Sequence, residues 1–62
     1  MDAVEFLLTK ISDEVKSLEY NIARGNAKDY AEYQHLCGKL RGLLTVEGIV
    51  KDLQTRMEEN DE

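Results

Sequence analysis

The chain has 62 residues, eight basic against thirteen acidic side chains for a net charge of −5, one cysteine, one histidine and no proline. One cysteine excludes an internal disulfide, one Cys with one His is too few for a structural zinc site, and the acidic balance argues against a nucleic-acid or anionic-membrane binder. A chain this short buries only ~60% of the surface its unfolded form exposes, which leaves regular helix packing and oligomerisation as its sources of stability.

In chain order, the opening "MDAVEFLLTK" is too acidic and too short of apolar run for a signal peptide. No stretch approaches the ~20 apolar residues that span a bilayer, and an unpaired thiol suits a reducing compartment. These features predict a cytosolic protein. Asp2 followed by Glu5 resembles a capping box, so a first helix is expected over about residues 3–24. Val4, Leu8, Ile11, Val15, Leu18 and Ile22 then keep alternating spacings of four and three, a heptad seam. Leu7 widens that stripe, while Phe6 and Tyr20 fall on the opposite side.

Arg24-Gly25-Asn26 is the break. Gly25 suits the left-handed position past a helix end, Arg24 complements the last carbonyls, and Asn26 is a good N-cap for a second helix. A stop signal running directly into a start signal predicts a tight αα-hairpin with its turn at residues 25–26.

The second helix is expected over about residues 27–59, with a frayed acidic end at 60–62 that continues the negative charge of Glu58 and Glu59 into Asp61 and Glu62. Leu36, Leu43, Val50 and Met57 recur every seven residues, Leu40, Val46 and Leu53 fill in beside them, and Tyr30, Tyr33, Cys37 and Leu44 broaden the face near the turn. Glu47 interrupts this seam, so residues 45–48 are the place where a kink or a third short helix would fall if the helix is not continuous.

Gly38 and Gly42 stand four apart inside this helix, and each costs ~1 kcal/mol against alanine there. At about 100° per residue they share a small-residue face with Ala31 and Thr45, opposite the leucines. Small residues at that spacing let backbones approach closely, which makes this face a candidate seam between chains. The competing readings are room for one bulky side chain, or tolerance on an exposed surface. Length adds a second pointer. A first helix of about 22 residues spans ~33 Å and a second of about 33 spans ~50 Å. The first would run out opposite about Gly48, leaving Ile49, Val50, Leu53 and Met57 projecting as an exposed apolar patch of the kind that marks an interaction site. The expected partner interface is therefore Gly38, Gly42, Ile49, Val50, Leu53 and Met57.

Nothing points to catalysis, a cofactor or a metal. His35 and Cys37 are two apart, so on a helix their side chains diverge by about 200° and cannot form a dyad. Cys37 reads as a small buried hydrophobe and His35 as a surface residue. No Glu-x-x-His motif supports a carboxylate-bridged metal site. Glu14 with Lys10 and Glu47 with Lys51 fit four-residue ion pairs. Tyr30 and Tyr33 either form a contact patch with Arg24 and Lys28 or close the end of the core.

The whole therefore predicts one all-α domain over residues 1–62, an antiparallel two-helix hairpin with a longer second helix that associates into a helical bundle or coiled coil. The run "KDYAEYQHLCGKLRGL", with Tyr33, Leu36, Gly38, Leu40 and Gly42-Leu43, resembles a stretch in small helical-hairpin proteins of tailed bacteriophages, encoded among virion structural genes. The resemblance covers about half the chain and implies a phage-encoded protein of virion assembly or structure, located in the host cytoplasm or the virion. Its expected partners are itself, as a homo-oligomer, and a larger phage structural protein. Two alternatives stay open. One is a regulatory RNA binder built, like a two-helix plasmid protein, as a dimeric four-helix bundle. The other is an acidic inhibitor of a host nucleic-acid-binding protein, with Asp13, Glu14 and Glu19 mimicking phosphates although Lys10 and Lys16 lie among them.

Overall fold

The computed structural model describes residues 2–59, folded as an antiparallel two-helix hairpin: α1, Ala3–Ala23, and the longer α2, Tyr30–Glu59. The acidic residues Asp61 and Glu62, with the rest of the expected frayed end, lie outside the described residues.

Each helix starts where an Asp-x-x-Glu pattern begins. The Asp2 carboxylate accepts from the Glu5 amide at 2.8 Å, and the Asp29 carboxylate accepts from the Glu32 amide at 2.9 Å. Both bonds satisfy an amide that the first helical turn leaves without a partner. α1 stops at Gly25, whose φ of 70° is the left-handed geometry that a residue without Cβ adopts at no steric cost. The Gly25 amide donates to the Ile22 carbonyl and the Asn26 amide to the Asn21 carbonyl, both at 3.1 Å, which is a Schellman closure.

The connection differs from the expected turn at 25–26. It occupies residues 24–29, and α2 begins at Tyr30 rather than near residue 27. Asn26 does not cap α2; its side-chain amide turns back to the Asn21 side chain at 3.1 Å. Asp29 takes the cap because Asn26 is already committed to closing α1.

The six seam positions of α1 behave as the heptad predicts. Ile11, Val15 and Leu18 are buried, and Val4, Leu8 and Ile22 are half-buried. Leu36, Leu40 and Leu43 of α2 are half-buried, and Val50 is buried in one cluster with Ile11 and Val15. Among the described residues no side-chain ion pair or hydrogen bond joins α1 to α2, so apolar packing holds the two together. α2 passes through residues 45–48 without a break. Glu47 occupies a seam position with its stem mostly covered, and its carboxylate reaches Lys51 at 3.8 Å.

Val50 is the one expected overhang residue that the structure moves. It is only 8% exposed and belongs to the core. A 21-residue α1 covers about 31 Å, and with Val50 packed against Ile11 and Val15, and Val4 and Leu8 beside them, α1 runs alongside α2 past residue 50 rather than ending near 48.

Candidate functional site

Past Val50 the line of α2 that faces α1 stays partly covered as far as Gln54, which is half-buried, and the exposed apolar residues lie on a neighbouring face of the helix. Ile49 is 63% exposed, Leu53 48% and Met57 52%. Val46 is also exposed, although its spacing suggests a place beside the core. With Gly38 and Gly42 these residues form one stripe, centred roughly 110° around α2 from the line that faces α1. An added Cβ at Gly38 or Gly42 would meet nothing within 4 Å. No bulky side chain of the same chain therefore fills the space beside them, and the small-residue face lies open to solvent.

The two sides of the hairpin differ. On one side runs a shallow groove lined by polar and charged groups, among them Ser12, Asp13, Lys16, Glu47 and Lys51. The helical phase of these residues places Leu7 and the α2 stripe on the other side. Leu7 is exposed as well, so the apolar surface at the open end of the hairpin extends from α2 onto α1.

Five of the six residues expected at a partner interface, Gly38, Gly42, Ile49, Leu53 and Met57, are thus exposed on this stripe. The sixth, Val50, is internal. Val46 and Leu7 are the omissions. Phase rather than hydrophobicity would have found Val46, since it lies between Leu53 and Met57 on the helical wheel and well away from Leu40.

Other candidate chemistry is sparse. Among the described residues no group of three His, Cys, Asp or Glu side chains is placed to hold a metal ion, and no helix is long and apolar enough to cross a membrane. His35 is exposed and Cys37 is a half-buried free thiol. The Tyr33 phenol is raised above its ordinary value of 10.0, chiefly by the neighbouring Cys37 side chain, with burial and Tyr30 adding smaller contributions. Tyr30 and Tyr33 stack with ring centroids 6.5 Å apart. Arg24 does not join them. Its guanidinium lies over the Tyr20 ring at 5.3 Å and donates to the Tyr20 hydroxyl at 3.0 Å. Lys28 pairs with Glu32 at 4.0 Å, and Lys10 lies over Phe6 at 5.5 Å rather than pairing with Glu14.

Compared with protein-family models, with curated proteins and with solved structures, the chain finds no match in any of the three.

Proposed function

We propose that this protein is a non-enzymatic helical interaction module that works through the apolar stripe of α2, by self-association or by docking on a larger component. The observation that carries this reading is the row Val46, Ile49, Leu53 and Met57, exposed on one side of a hairpin whose buried core, among the described residues, numbers only Ile11, Val15, Leu18 and Val50. Large side chains left in water forgo ~1.5–3 kcal/mol each, and a contiguous exposed row of them is the usual mark of a binding surface. The sequence resemblance suggests the setting, assembly of a tailed-phage particle, in which the partner would be a second copy or a virion protein.

Site-specific photocrosslinking in cells that make the protein tests the surface without presupposing the partner. A photoreactive residue at Leu53 should give a crosslinked product, whereas the same residue at Ser12, in the polar groove, should give none. Equal yields at the two positions, or none at Leu53, would remove the stripe as the working surface.

A further inference from the structure

We propose that the occupant of the stripe is a second copy of this chain, lying antiparallel across it about a two-fold axis that crosses α2 between Glu47 and Gly48. This rests on the reading of the stripe as a binding surface and adds the identity and direction of what binds.

Spacing is the first ground. Gly38, Gly42, Val46, Ile49, Leu53 and Met57 are separated by four, four, three, four and four residues, a series that reads the same in both directions. A two-fold interface requires one surface to complement itself, and this one does. The axis sets Val46 against Ile49 of the second copy, Gly42 against its Leu53 and Gly38 against its Met57. Each glycine, with open space where a Cβ would stand, thereby faces a long side chain that needs room. Leu7, on the same side of the hairpin and about a helical turn from the axis, carries the contact onto α1.

Area is the second ground. A compact monomer of 7.1 kDa exposes about 4,100 Å², whereas the hairpin exposes 4948 Å². The excess, roughly 850 Å², matches the ~800 Å² that each partner contributes to a standard stable interface. Charge is the third. Arg41 makes no salt bridge among the described residues, and the axis brings it alongside Asp52 of the second copy, whose carboxylate is exposed beside Arg56.

The test uses the full chain and two matched substitutions. Gly42→Leu and Gly48→Leu are the same change in one helix, and both positions are open in the hairpin, but only Gly42 lies on the seam. Light scattering over a roughly hundredfold concentration range should show a dimer. Gly42→Leu should weaken it by about tenfold or more, because overpacked contacts are costly. Gly48→Leu should change it by less than about twofold, as a surface substitution away from the seam.

Direction is read from spin labels on Tyr30→Cys in a Cys37→Ala background. The antiparallel dimer separates the two labels by about 50 Å along the helix axis, whereas a dimer with its axis along the bundle holds them within about 25 Å. A monomer at every concentration overturns the second-copy inference and leaves the photocrosslinking result to decide the stripe. A dimer with the short distance overturns the direction, and a Gly42→Leu dimer as tight as the parent overturns the register. A dimer indifferent to charge placed at Ile49 and Leu53 together would overturn the stripe itself.

Discussion

Ile49 and Val50 are adjacent and similar in character, yet one is mostly exposed and the other is in the core. Val50→Ala removes about two buried carbon groups and should cost about 1.5–2.5 kcal/mol, from the transfer loss plus an incompletely closed cavity. Ile49→Ala should leave the hairpin's own stability within about 0.5 kcal/mol, since that side chain has no partner within the chain. Urea unfolding monitored by circular dichroism, at a concentration low enough that light scattering gives the monomer mass, separates the two. Tyr33 supplies a second check at this scale. Its phenol is held protonated beyond its ordinary range by Cys37, so the favourable contribution is present below pH about 10 and is lost as pH rises through the shifted value. Ultraviolet titration should place the Tyr33 midpoint above the usual phenol value, and Cys37→Ala should bring it down.

At the scale of the elements, the connection decides the register. Removing the Asp29 cap by Asp29→Ala should cost ~1 kcal/mol of stability, whereas Asn26→Ala should cost less, because it gives up only an exposed bond to Asn21. Helicity and urea midpoints of the two variants check this. A larger loss at Asn26 would mean that α2 starts earlier than Tyr30. The helices themselves are legible in the sequence, since heptad spacing, the Asp2 cap and the left-handed Gly25 are local signals that the fold obeys. The start of α2 is less so. Asn26 and Asp29 are both good caps, and only Asp29 repeats the Asp-x-x-Glu pattern of α1. Choosing the earlier one shortens the connection, and pairing the helices from the turn outward then slides Val50 out of the core, so a small local ambiguity becomes an error in the candidate site. Val46 is misplaced for a related reason. In a helix with two apolar stripes, hydrophobicity alone does not say which stripe faces the neighbour.

The molecule as a whole is a rod of 52 × 18 × 13 Å. Its radius of gyration, 14.7 Å, exceeds the roughly 10.5 Å of a compact domain of this length. Such a shape leaves little interior, and a chain that gains its missing interior from a second copy becomes more stable as it becomes more concentrated. The melting temperature should therefore rise with protein concentration, whereas a temperature independent of concentration would mark a self-sufficient monomer. The placement of charge has one more outcome. The three ion pairs among the described residues, Lys28–Glu32, Glu47–Lys51 and Asp52–Arg56, all run along the α2 region, and none spans the two helices. Dissolved electrolyte can therefore loosen single turns of α2 but finds no electrostatic latch between α1 and α2 to undo. In a chain of net charge −5, it also screens self-repulsion. The hairpin is accordingly built to stay shut in brine.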